Sequence, residues 1–380
     1  MSQSYILRFL LISLLYLPFY IVSSSAKGQV ATDETEFVSD EDDSLKEWLV
    51  KIDSGAKDHI AILLPTYSAS LTKISASTTE GIFLARAADK KTLLPIANYS
   101  LDYDSIDKLQ VTYEKAVQRG AKAIIGPLTK KAVKKLTTAN LNFVPTLCLN
   151  VVPEAEKIDK NLFLFGLQIE NEAKKLAKLA FSEGGRKILT VAENSSVYQR
   201  FLRSVEDEWL SQSGEIIAQL AYADLIDDMS LINRLLEDTE ADTILIAVSP
   251  DAARNLRPYL GTRLPIYAPS IIHTSRIDKL RMHDLEEVRF LEMPWIIDKK
   301  SKFVTDGGEG KSLQLERFYA LGIDAYEMTS IIVSDPLNIP NTIQGRSGII
   351  TFSNPLFIRD GKPAKFTGGN IKPIATFNDK

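Results

Sequence analysis

From residue 59 onward the chain alternates short apolar runs with stretches of helical periodicity, and this alternation restricts the possible folds more than any other feature. A parallel sheet covered on both faces by crossover helices produces that pattern. Residues 59–64 (HIAILL) are apolar almost throughout and stop at Pro65, as a buried central strand should. The spacing predicts a helix over 81–88, a strand over 94–99, and a helix whose stripe of Ile106, Leu109, Tyr113, Ala116 and Val117 ends at Gly120. A third strand at 123–125 closes at Gly126 and Pro127. Thr129 then caps a helix carrying Ala132, Val133 and Leu136, and residues 144–149 return as a fourth strand.

A second series begins at 161–167 (NLFLFGL) and leads into a helix with Ile169, Ala173, Leu176, Ala177, Ala180 and Phe181 on one face. Strands follow at 187–192, 216–221, 243–248 and 265–268, separated by helices near 196–213, 228–238 and 250–260. Residues 288–297 read as a further extended run, 313–333 as a helix bent at Gly322, and 348–352 with 358–361 as a late hairpin. The expected fold class is therefore α/β: two Rossmann-like lobes with parallel sheets, joined by a hinge, with a cleft where strand carboxyl ends converge. Residues 58–165 and 298–338 are assigned to the first lobe, 166–297 and 339–380 to the second. A length of 380 residues with 45% hydrophobic content suits two folded units.

The first 26 residues read as an export signal: Arg8 precedes a 14-residue apolar run at 9–22, and Ser24, Ser25 and Ala26 put small residues at a cleavage position. That run is shorter than the roughly 20 residues a membrane-spanning helix needs. The expectation is a soluble protein exported to the periplasm with no stable membrane anchor after cleavage; the alternative is tethering by an uncleaved signal. Residues 27–57 read as a solvated acidic leader, since 33–47 carry eight acids against Lys46, a local charge of -7.

Composition removes several kinds of chemistry. A net charge of -4 offers no bulk attraction for nucleic acid. One cysteine, Cys148, and three dispersed histidines, His59, His273 and His283, do not make a zinc framework, and no metal or cofactor is expected. Gly307, Gly308, Gly310, Lys311 and Ser312 resemble a phosphate loop, but that loop needs glycine where Thr305 stands. The turn after the first strand, Pro65 to Ser70, lacks a dinucleotide glycine signature, and there is no Gly-x-Ser-x-Gly elbow. Cys148 lies in an apolar strand pattern that suits a buried structural thiol. The chain is read as no enzyme.

Binding remains. Thr66, Tyr67, Ser68 and Ser70 after the first strand, with Thr129 at a helix start, can hold a small anion from one lobe. Asn194, Ser196 and Tyr198 can meet it from the other. The same residue types also serve as caps and turns, with Thr129 and Ser196 suited to helix caps.

Two sets of motifs carry a family resemblance. Residues 59–65 (HIAILLP), 81–85 (GIFLA) and 124–130 (IIGPLTK) resemble the opening of type I periplasmic binding proteins. Residues 317–326 (RFYALGIDAY), 345–352 (GRSGIITF) and Ile358-Arg359 are similar to LppC-type activators of penicillin-binding proteins, and the likeness spans about 59–376. It implies a two-lobed, type I periplasmic binding protein architecture and a non-catalytic envelope protein that stimulates a peptidoglycan synthase by contact. The lipidated cysteine and the helical-repeat domain that precedes the lobes in that family are not expected for this sequence, where the short acidic leader occupies that place. Gly345 and Gly348 read as turn residues before a strand, and Asp324 as a local cap or pair. The alternative is a periplasmic solute-binding protein for an amino acid or similar small polar ligand.

Overall fold

The strand segments assemble into two separate sheets, each covered by helices on both faces. The computed structural model describes residues 57–91, 94–99, 101, 106–152, 158, 160–275, 278–297 and 312–374. The expected signal, nearly all of the acidic leader, and the glycines and Lys311 of the 307–312 motif lie outside the described residues.

In chain order the main elements are β1 (His59–Ile62), α1 (Ala69–Ala88), β2 (Ile96–Asn98), α2 (Ile106–Gln118), β3 (Ala121–Ile125), α3 (Lys130–Thr138), β4 (Thr146–Cys148) and β5 (Leu162–Phe165). There follow α4 (Ile169–Ser182), β6 (Lys187–Ala192), α5 (Ser196–Ser211), β7 (Glu215–Ala221), α6 (Ser230–Asp238), β8 (Thr243–Ala247), α7 (Pro250–Leu256) and β9 (Ile266–Tyr267). The last part comprises α8 (Lys279–His283), β10 (Val288–Glu292), α9 (Pro294–Ile297), α10 (Leu313–Ser334), β11 (Thr342–Gln344), β12 (Ile349–Ser353), β13 (Leu356–Asp360), β14 (Lys362–Thr367) and β15 (Asn370–Pro373).

The first sheet has the order β11-β12-β13-β5-β4-β3-β1-β2, parallel from β13 to β2. The second has the order β15-β14-β10-β9-β8-β6-β7, parallel from β10 to β7. Burial on both faces explains the apolar runs. Ile60 and Ile62 enter one core cluster while Ala61 and Leu63 enter another on the opposite face. In the second sheet Ile244 and Ile246 likewise part from Leu245 and Ala247.

Several expectations need correction. The segment 339–380 does not belong to one lobe: β11, β12 and β13 extend the first sheet, whereas β14 and β15 pair in the second. Residues 288–297 are not one extended run, because the strand ends at Glu292 and Pro294 opens a short helix. Helix α1 starts at Ala69, twelve residues earlier than its apolar spacing indicates, capped by the Ser68 hydroxyl.

The chain passes between the sheets three times. It leaves β5 for α4, whose inner face joins the second sheet's core; it leaves β10 for α9 and α10; and it leaves β13 for β14 across Gly361 alone. Helix α10 packs on α1 at backbone contact distance. A Cβ at Gly322 would stand 2.0 Å from the Thr78 carbonyl oxygen, and one at Gly81 would stand 2.1 Å from the Tyr319 oxygen.

Candidate functional site

In open α/β sheets the crevice lies beyond the carboxyl ends of the strands where their order reverses. The order reverses beside β1 and β3 in the first sheet, and beside β6 and β8 in the second. The expected site residues stand in the loops and first helical turns at these two places, in two sets on different sheets.

In the first sheet Ser68 and Thr129 act as helix caps, each hydroxyl accepting a backbone N–H at 3.3 Å, from Leu71 and Ala132. The Thr66 hydroxyl donates to the Leu101 carbonyl at 3.5 Å, Ser70 stands 3.4 Å from Ser68, and Tyr67 is exposed. In the second sheet Asn194 and Ser196 are exposed, and the cap position of α5 belongs to Ser195 rather than Ser196. Tyr198 is buried in the core, where burial and the nearby Glu193 carboxylate push its hydroxyl up to about 12. Glu193, which the sequence reading did not single out, turns its carboxylate onto Ser249: it accepts the backbone N–H at 2.9 Å and the hydroxyl at 2.7 Å. Donors that an anion could use at this crevice are thus engaged by a side chain of the same protein.

A denser polar constellation lies at the three crossovers. Glu292 ends β10 with 1% exposure. Its carboxylate accepts from Arg317 Nη2 at 2.7 Å, from Arg317 Nε at 3.2 Å, from His273 Nδ1 at 2.8 Å and from the Met293 N–H at 2.9 Å. Arg317 comes from the first turn of α10, which packs with the first sheet. Its Nη2 also donates to the carbonyls of Ser270 and His273, at 3.0 and 3.2 Å, so one side chain grips three points of the second lobe. Glu172, in the first turn of α4, accepts the Ser270 N–H and hydroxyl. Arg359 on β13 faces Glu172 electrostatically and donates to the Ser347 carbonyl at 3.3 Å. Lys175 pairs with Asp360 at 2.6 Å, joining α4 to the third crossover.

The Asp324 carboxylate, buried in α10, accepts the N–H groups of Arg346 and Ser347 at 2.6 and 2.8 Å and the Ser347 hydroxyl at 2.5 Å. Its partners are 22 and 23 residues away, so it is not the local cap or pair expected from sequence. A Cβ at Gly345 would stand 2.7 Å from an Asp324 oxygen, which explains glycine there. The same turn is tied to the second crossover, because Arg346 accepts the Trp295 N–H at 3.1 Å.

Burial disfavours each of these charges, and the pairing decides which survive. Burial works against the Glu292 charge, but the Arg317 guanidinium and the His273 hydrogen bond hold its carboxyl down at about 2. Burial raises Glu172, with Arg359 and the Ser270 donors opposing it. Asp324 is pushed up to about 6 by burial, against the pull of Ser347 and Arg346. A depressed carboxyl stabilises the fold above its unfolded value and loses that contribution as pH falls through its folded one. Glu292 therefore supplies stability that disappears between about pH 4.5 and pH 2, worth about 3 kcal/mol. Thermal melts from pH 6 to pH 2 should show a steep decline in the wild type that Glu292→Gln flattens; parallel curves would exclude the assignment.

Sequence reading caught Arg317, Asp324 and Arg359 only as parts of family motifs and missed Glu172, Glu292 and the role of His273. One signal was available: a carboxylate ending an apolar strand, as Glu292 does in VRFLE, demands a buried partner. Among the described residues no group of three or more His, Cys, Asp or Glu side chains is arranged to hold a metal ion. Apart from Asp324, which is held by backbone N–H groups and a hydroxyl, the constellation is made of paired charges, and what it does is fasten three chain crossings together.

Comparisons with known proteins agree with this architecture. A family model described as LppC putative lipoprotein matches residues 46–354. The penicillin-binding protein activator LpoA of Vibrio antiquarius is 22% identical over 343 residues, covering 80% of this chain and 56% of that protein. Its counterpart from Haemophilus influenzae is 26% identical over 286 residues, covering 71% and 48%. The chain spans about half the length of the curated relatives it matches. Among solved structures, the C-domain of Haemophilus influenzae LpoA, described as a regulator of PBP1A, superposes with a TM-score of 0.69 at 20% identity over 84% of this chain and all of that one. A putative branched-chain amino acid ABC transporter from Chromobacterium violaceum superposes with a TM-score of 0.68 at 26% identity over 81% of this chain and all of that one.

Proposed function

This chain belongs to the LppC family, and from that premise we propose that it is a non-catalytic periplasmic regulator that stimulates a peptidoglycan synthase of the penicillin-binding type by direct protein contact. The observation that carries this reading is the ionic fastening of the crossovers by Arg317 and Glu292, with Glu292 and His273 each 1% exposed. A lobe pair that captures solutes must change its angle at those crossings, and breaking buried, hydrogen-bonded charge pairs to do so is costly. A fixed pair of lobes instead offers a preformed surface, which lowers the ordering cost of association. The relatives named as penicillin-binding protein activators supply the class of partner.

The second reading, capture of an amino acid or similar small polar solute, draws on the likeness to the Chromobacterium violaceum transporter protein. The contact between Glu193 and Ser249 weighs against it, because it engages donors that a solute carboxylate would need. No cofactor enters either reading. Export to the periplasm rests on the signal-like first 26 residues. Among the described residues no helix is long and apolar enough to cross a membrane.

Adding the purified chain to a penicillin-binding synthase from the same cell, supplied with lipid-linked precursor, should raise the rate of glycan polymerisation or cross-linking to a saturable plateau. A direct binding measurement should saturate over the same concentration range. Unchanged rates together with absent binding would refute the proposal. In parallel, a thermal-shift screen against small polar metabolites should give no stabilisation. A solute present at about 100 times its Kd would add roughly 2.7 kcal/mol and favour the second reading.

A further inference from the structure

We propose that the face formed by α2 and α3 is a docking surface for an anionic lipid bilayer. The two helices cover the same face of the first sheet: Leu109, Tyr113 and Ala116 of α2 join Ala132, Val133 and Leu136 of α3 in one core cluster. Their inward sides are thereby used; the outward side of α3 is strongly basic, while α2 carries Lys108 and Lys115 against Asp107 and Glu114. Between residues 106 and 139 there are eight Lys and Arg side chains against two acids, Asp107 and Glu114, a local charge of +6 in a chain whose net charge is -4.

The charge is concentrated on α3. Lys130, Lys131 and Lys134 are exposed and Lys135 is half-buried, and all four project from one nine-residue helix that contains no acid. Lys108 and Lys115 of α2 and Lys122 of β3 are also exposed. Lys130 stands 4.0 Å from Glu170, and Lys122 stands 3.2 Å from Asp58. Paired ions at such exposure contribute little and are readily exchanged for other anions.

Charge alone would suit any polyanion, and the apolar residues on this face select the bilayer. Phe143, in the loop after α3, is 58% exposed, and Val111 on the outer side of α2 is 63% exposed. Phe143 remains anchored to the helix pair, with its ring 6.2 Å from that of Tyr113. Exposed apolar groups among lysines are what a headgroup boundary accepts: the cations meet lipid phosphates while the apolar groups enter the acyl margin. Lysine stems cover apolar surface while their ammonium groups stay at the phosphates.

Co-sedimentation of the full chain with vesicles of neutral phosphatidylcholine, and of phosphatidylcholine containing 30% phosphatidylglycerol, tests the proposal. The apolar start and the acidic leader are the same in the wild type and the variants, so the quantity read is the change between them in the ratio of the two affinities. The wild type should prefer the anionic vesicles, with a preference that weakens as salt rises from about 0.05 to 0.5 M. The combined variant Lys130→Glu, Lys131→Glu, Lys134→Glu and Lys135→Glu should lose roughly 600-fold or more in that preference, since each of the four basic groups near an anionic surface is worth about fivefold. Its melting temperature should match the wild type, which separates lost docking from lost folding. Phe143→Ser should weaken binding to the anionic vesicles by about threefold to tenfold while keeping the salt dependence. Equal binding to both compositions, a fourfold variant that keeps its preference, or binding to polyglutamate without binding to anionic vesicles would each overturn the proposal.

Discussion

Arg317→Met is expected to destabilise the protein by about 3–5 kcal/mol, because it removes one partner of a buried ion pair and leaves the other charge in place. Glu292 would keep only His273 and the Met293 N–H, and the carbonyls of Ser270 and His273 would lose a shared donor. Equilibrium unfolding in urea reads this directly as a fall in midpoint. The double variant Arg317→Met with Glu292→Gln should recover part of the loss, since the remaining charge is gone as well. A single-variant cost below 1 kcal/mol, with no coupling to Glu292, would reduce the pair to an ordinary surface contact and remove the fastening on which the functional proposal rests.

Gly322→Ala should also be severely destabilising, by about 3 kcal/mol or more, through packing rather than charge. In an open helix the change from glycine to alanine stabilises by about 0.5–1 kcal/mol, so even the sign of the effect is diagnostic. Here the new methyl would stand 2.0 Å from the Thr78 carbonyl oxygen and 2.9 Å from its carbon, both backbone atoms that no side-chain rotation can move away. Helices α1 and α10 would have to separate, and α10 also carries Arg317 and Asp324, so the crossovers would lose their register at the same time. Gly81→Ala should act in the same direction, with its methyl 2.1 Å from the Tyr319 oxygen. A gain in melting temperature for either variant would show that the two helices are not locked at this distance.

How much of this was legible in the sequence depends on what each segment buries. Strands β1, β6 and β8 could be read because both of their faces are apolar, leaving no competing pattern. The first half of α1 could not, because the side turned toward α10 is Ser75, Ser77, Thr78 and Gly81, small residues chosen for close approach that form no apolar stripe. Strand β11 and the closing pair β14 and β15 were missed for the opposite reason. Strands β11 and β15 are short, lie at sheet edges and bury no residue fully, so no period stands out. Strand β14 does alternate but offers only two apolar positions, Ala364 and Phe366, set among Lys362, Pro363 and Lys365.

The expected binding residues stand in the loops and first helical turns at the order reversals, because strand order alone locates those crevices, although Tyr198 is buried in the core. Residue type could not reveal their employment: a serine that caps a helix and a serine that holds a ligand look alike in a sequence. The crossover network was hidden more deeply, since Glu172, Glu292, Arg317 and Arg359 come from four separate elements and only the fold brings them together. Asp324 illustrates the same point, its carboxylate reaching a turn more than twenty residues downstream.

The central claim is that the two lobes are fastened into a single recognition body rather than hinged to close on a solute. Spin labels at Val111→Cys on the first lobe and Leu210→Cys on the second would test it, since both positions are exposed and the native Cys148 is fully buried and will not compete for label. Pulsed electron-electron resonance should return one narrow distance distribution that stays unchanged when small polar metabolites are added. A broad or two-peaked distribution that collapses to a shorter distance with any such solute would contradict the account.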